Sequence, residues 1–182
     1  MKNIEILHLN QLRDLVETLT PVQCAYYAEA GIIALENQGH KPGVKVKVKG
    51  DVQYDYQLEW KTFTHSKSGW REPREIAENG GIAIGILLIL ELTEYQVVEQ
   101  SVIGTGFDFW LGYKENNENY DPDNFLNARV EISGINKGNR AEIFRRGREK
   151  MRQLSVSNHL KIPGYVIVTE FSAPISLILK NE

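Results

Sequence analysis

The chain has one cysteine, Cys24, in 182 residues. A single thiol excludes an intrachain disulfide framework and any cysteine-cluster zinc site. The neighbours of Cys24 read as helix, so the residue is expected to be a small buried hydrophobe rather than a nucleophile. Histidine is sparse too: His8, His40, His65 and His159 stand far apart, without metal-ligand spacing. Long apolar runs are missing too. The longest, Ile82 to Leu90, is far too short to span a bilayer. The opening Met1-Lys2-Asn3-Ile4-Glu5-Ile6 has no apolar signal region, so a cytoplasmic protein with no membrane partner is expected. Gly104-Thr105-Gly106 lacks the third glycine and following helix of a dinucleotide fold, and neither Gly-Lys-Ser/Thr nor Gly-x-Ser-x-Gly occurs. The acids between Lys114 and Asn124 lack the spacing of a calcium loop. A net charge of -3 argues against wholesale coating of nucleic acid but leaves room for a local basic patch.

With 42% hydrophobic and 25% charged residues, the composition is that of a globular domain. No repeat or linker divides the chain. It reads as one domain, 1–182, with N-terminal helices and a hairpin over 1–72 and a core over 73–182. Leu9, Leu12, Leu15, Val16 and Leu19 predict a short helix over 9–20. Thr20 caps a second helix that Pro21 opens and that runs through Leu35, ending in turn residues from Asn37. Val44 to Lys49 alternates valine with lysine and predicts a half-exposed strand. It forms a hairpin with Tyr54 to Phe63. The lysines could meet phosphate, but an edge strand defended by lysine needs no ligand. His65 to Arg71 reads as a loop. Pro73 opens a long helix to Leu92, apolar nearly all round in its second half, with Gly80-Gly81 marking close approach to another backbone.

Beyond it, Tyr95 to Ile103, Gly104 to Gly112 and Ala128 to Gly134 read as strands. A helix follows from Gly138-Asn139-Arg140 to about Val156, with Ile143, Gly147, Met151 and Leu154 on its apolar stripe. Its other faces carry Arg140, Arg145, Arg146, Arg148, Lys150 and Arg152, a basic surface suited to phosphate. The bland alternative is a solvated face balanced by Glu142 and Glu149. Tyr165 to Phe171 and Ile175 to Leu179 are the last strands, bent at Pro174. An α/β fold follows: a central mixed β-sheet flanked by helices.

Two acids occupy the polar phase of their strands. Asp108 alternates with Phe107 and Phe109, and Glu131 with Val130 and Ile132, so adjacent strands could aim both carboxylates at one place. Small residues beside them, Gly104-Thr105-Gly106 and Ser133-Gly134, leave space for a ligand. The competing reading makes both acids solvent-facing, with Glu131 and Arg129 a surface pair worth under roughly 1 kcal/mol.

From Pro73 onward the order helix, strand, strand, strand, helix, strand, with acids on the second and third strands, resembles the PD-(D/E)XK nuclease-like superfamily and its restriction-endonuclease-like αβββαβ core. The resemblance covers about 110 residues and implies Mg²⁺ (or Mn²⁺) held by Asp108 and Glu131, with Glu78 of the first helix able to join them. It implies cleavage of nucleic-acid phosphodiesters, with DNA or RNA gripped by the Arg140–Arg152 helix. Where that family carries a lysine two residues after the third-strand acid, this chain has Ser133. Lys137 and Arg140, nearest in sequence, are candidates to supply the missing cation, with Lys150 a weaker one. The same departure supports the alternative, a catalytically inactive nuclease-like fold that binds nucleic acid, a protein partner or a second copy of itself in a larger assembly.

Overall fold

The computed structural model describes residues 4–62 and 67–181. Phe63, at the end of the expected hairpin strand, and His65, in the expected loop, lie outside them. Among the described residues, eight strands form one mixed sheet: β1 (Glu5–His8), β2 (Val44–Gly50), β3 (Tyr54–Glu59), β4 (Tyr95–Gln100), β5 (Phe109–Tyr113), β6 (Ala128–Ile135), β7 (Gly164–Glu170) and β8 (Ile175–Asn181). Their order across the sheet is β1-β3-β2-β8-β7-β6-β5-β4. β4, β5 and β6 are successively antiparallel, whereas β6 and β7 are parallel. A parallel pair needs a crossover, and helix α4 (Arg140–Leu154) provides it.

Helices α2 (Pro21–Asn37) and α3 (Pro73–Leu92) cover one face, and α4 covers β6, β7 and β8 on the other. The core divides accordingly. A large cluster including Ile84, Ile86, Val130 and Ile132 lies under α3. A smaller one, including Ile143, Leu154, Val166 and Leu177, lies under α4. Thr20 and Gln23 close a capping box on α2, with Pro21 in its first turn, and Asn139 and Glu142 do the same for α4. Gly80 and Gly81 let α3 touch two backbones at once. A Cβ on Gly80 would come within 2.8 Å of the Gly31 Cα, and one on Gly81 within 2.9 Å of the Gly134 Cα.

Four local expectations change. The first helix stops early: a 3-10 turn at Leu9–Gln11 leads into α1 (Leu12–Leu15), and the chain turns extended at Val16. The N-terminus adds β1, which pairs parallel with β3. The strand expected from Gly104 begins only at Phe109, so Asp108 stands at its threshold, and β4 ends at Gln100. β2 is not an edge strand. It lies between β3 and β8, so its lysines do not protect an edge. Among the described residues no helix is long and apolar enough to cross a membrane.

Candidate functional site at the splayed edge of β6

β6 is longer than its partner β5. The ladder between them runs Leu111↔Ala128, Trp110↔Arg129 and Phe109↔Val130, and the Asp108 amide adds one more bond to the Val130 carbonyl at 2.9 Å. Beyond that point the edge of β6 has lost its strand partner, and buried amides there must find another acceptor. Two carboxylates serve. Asp108 Oδ2 accepts from the Ile132 amide at 2.7 Å, and Glu78 Oε2 accepts from the Gly134 amide at 3.3 Å. Where β5 and β6 part, acids are therefore drawn to one place.

Alternation along β6 sends Arg129, Glu131 and Ser133 to the α4 side. All three are buried, which removes the surface-pair reading. Arg129 does not meet Glu131. Its guanidinium donates to the Ile162 carbonyl at 3.1 Å and to Asn158 Oδ1 at 2.7 Å. Glu131 meets Lys150, whose Nζ lies 2.5 Å from Oε1, while its Oε2 is buried with no hydrogen-bond partner. Ser133 meets Arg146, which donates to the serine Oγ at 3.0 Å and to Glu78 Oε1 at 3.1 Å. Geometry explains the match. Residues two apart on a strand and four apart on a helix are both about 6–7 Å apart. α4 runs back along β6, so 131 faces 150 and 133 faces 146.

Asp108 and Glu131 stand near enough for each to act on the other's titration. Burial, then the Asp108 charge, pushes Glu131 up to about 8, against the pull of Lys150. Burial also raises Asp108, opposed by the Ile132 amide and by Lys150. Burial, then the Asp108 charge, pushes the Tyr27 phenol of α2 up.

The expected convergence of Asp108 and Glu131 is present. Glu78 approaches the same edge, but both its oxygens are already engaged by Arg146, Ser133 and the Gly134 amide. Among the described residues no three acids, histidines or cysteines gather as a metal-binding group. Lys137 and Arg140 make no hydrogen bond or ion pair with these acids. Lys137 is exposed beyond β6, and the Arg140 guanidinium lies 5.6 Å from the centre of the Phe144 ring. The cations at the site are Lys150 and Arg146. Their four-residue spacing on one helix flank was a usable signal, but pairing it with Glu131 and Ser133 required knowing which flank faces β6. Comparisons with family sequence models, characterised proteins and solved structures return no match to this chain.

Proposed function

We propose that the Asp108–Glu131–Lys150 cluster is the hydrolytic centre of a metal-dependent nuclease related to the PD-(D/E)XK fold, acting on nucleic-acid phosphodiesters. The observation that carries this reading is Glu131 Oε2, a buried carboxylate oxygen with no donor, beside a second carboxylate. Burial holds a proton on Glu131 at neutral pH; once that proton leaves, the buried charge has only Lys150 as a donor, and a divalent cation would relieve the remaining cost. Asp108 and Glu131 would hold Mg²⁺ or Mn²⁺. Two carboxylates suit Mg²⁺, which keeps several waters and takes its remaining ligands from phosphate. When bound, the metal supplies Lewis acidity toward the phosphate and lowers the pKa of a water.

The chain's own groups do the rest. Lys150 holds Glu131 in place and sets a positive charge beside the pair, where charge develops on the phosphate during attack. Arg146 occupies the neighbourhood of Ser133, so guanidinium charge stands where serine leaves none. It also fixes Glu78 at 3.1 Å and so holds the start of α3 against β6. Neither cation belongs to the polypeptide stretch next to Glu131; both descend from α4.

The test is incubation of the protein with single- and double-stranded DNA and RNA in Mg²⁺ and in Mn²⁺. Cleavage that falls at least about 100-fold in Asp108→Asn and in Lys150→Met is expected. No cleavage of any substrate with either metal overturns the catalytic reading. A second reading, the inactive binding fold, is favoured by the structural use of the acids: Asp108 and Glu78 both close the open edge of β6. That reading expects no calorimetric signal with Mg²⁺ or Mn²⁺.

A further inference from the structure

The sheet face that carries α4 is only partly covered. Across β2, Val46 and Val48 enter the core while Lys45, Lys47 and Lys49 point the other way and are exposed. They share the α4 face, because Lys49 lines a 560 Å³ groove together with Arg140, Phe144, Ile175, Leu177 and Leu179. Successive lysine positions are about 7 Å apart along the strand backbone. Among the described residues, none of them forms an ion pair. The facing acids are few. Asp55 is the register partner of Lys47 on β3, Glu59 accepts from Gln57, and Asp51 in the groove accepts from the Lys180 amide.

Like charges in a row on one strand repel. On an edge strand they would be explained by protection against aggregation, but β2 is interior. The row continues into further cations. Arg140 shares the groove with Lys49, and Arg148 and Arg152 on the exposed side of α4 form no ion pair among the described residues. β2 is three strand spacings, about 14 Å, from β6, with α4 lying between them. A polyanion crossing α4 from Lys49 therefore meets cations along its way to Lys150.

We infer that Lys45, Lys47 and Lys49, with Arg140, form a platform for a single-stranded nucleic acid, its phosphates on the lysines and a base lodged in the apolar groove beside Phe144. The inference takes its ligand class from the nucleic-acid reading above but does not depend on catalysis. Repeated backbone cations beside an apolar, aromatic-containing slot suit a flexible strand whose bases can turn out, more than a duplex whose bases are stacked away.

The experiment measures binding of a labelled oligothymidylate of about 15 nucleotides in EDTA, so that cleavage plays no part, from about 50 to 200 mM salt. Lys45→Gln/Lys47→Gln/Lys49→Gln is compared with the corresponding triple arginine variant. The glutamine variant should bind at least about tenfold more weakly at the low-salt end, with the log–log salt slope reduced by about 2, while the arginine variant keeps both. The lysines are exposed, and an unchanged melting temperature excludes misfolding as the cause. An unchanged salt slope in the glutamine variant overturns the platform, as does absence of wild-type binding, or a duplex bound as tightly as the single strand. Lysine-dependent binding without cleavage in Mg²⁺ leaves the platform standing and removes the nuclease. Cleavage with an unchanged slope does the reverse.

Discussion

Glu131 is the residue on which the electrostatics turn. Its carboxyl is raised from an ordinary 4.5 to about 8, so the folded protein holds a proton that the unfolded chain releases above the usual carboxylate range. The sign follows: its contribution favours folding at low pH and is lost as pH rises from about 4.5 to about 8. The groups acting on it are Asp108, before β5, and Lys150 on α4. Metal-free protein should lose stability across that window, by on the order of 5 kcal/mol. Urea denaturation at a series of pH values measures the loss, and Glu131→Gln should flatten most of it. Lys150→Met leaves the same carboxyl without its cation, which should push its titration still higher and strengthen the retention of the proton. A titration that moves down in this variant would mean that Lys150 does not govern Glu131. Arg146 is different: fixed to Ser133 and Glu78, it positions α3 against β6, and its loss should lower stability at every pH in the same window.

The contact between α3 and β6 is made by missing side chains. A Cβ on Gly134 would lie 1.7 Å from the Ala77 carbonyl oxygen, an overlap that only a shift of the helix or strand relieves. Gly134→Ala should therefore cost about 3 kcal/mol or more and disturb the Glu78 bond to the Gly134 amide. Gly69→Ala, where an added Cβ meets nothing within 4 Å, is the matched control and should change stability by less than about 0.5 kcal/mol. Chemical denaturation of the two variants decides it. The glycine pair in α3 announced this contact in the sequence, because two adjacent glycines in a strongly apolar helix are costly unless a backbone needs the room. The bounds of α3, Pro73–Leu92, were legible for the same local reasons: a proline at the start and apolar residues through its second half. The position of β2 was not. Alternation tells which residues share a face, but whether a strand is at the edge depends on β8, more than a hundred residues away. The flank of α4 that faces Glu131 was hidden likewise. Its apolar stripe pointed to the sheet, yet Lys150 among so many cations carried no local mark of burial beside an acid.

At the scale of the whole molecule, the proposed metal binding would be linked to proton release and to folding. Mg²⁺ binds carboxylates, not carboxylic acids, so occupation of the pair at neutral pH must expel the proton that burial and Asp108 retain on Glu131. Apparent affinity should then rise close to tenfold for each pH unit below about 8 and level off above it. A ligand that binds only the folded state stabilises it, by about 2.7 kcal/mol at a hundred times its dissociation constant. The stability that metal-free protein loses on going from acid to neutral pH should therefore return when Mg²⁺ is added, and the rise in melting temperature should be larger at pH 8 than at pH 6. Calorimetry at pH 7 in two buffers of different ionisation enthalpy should report release of close to one proton per Mg²⁺ bound. Glu131→Gln has no proton to release and no anion to offer, so both the thermal shift and the buffer dependence should vanish together. If the shift persists in that variant, the metal sits elsewhere. If it is absent in the wild type at every pH, the pair holds no metal: Asp108 then serves, with Glu78, to close the open edge of β6, and Lys150 to partner the buried Glu131.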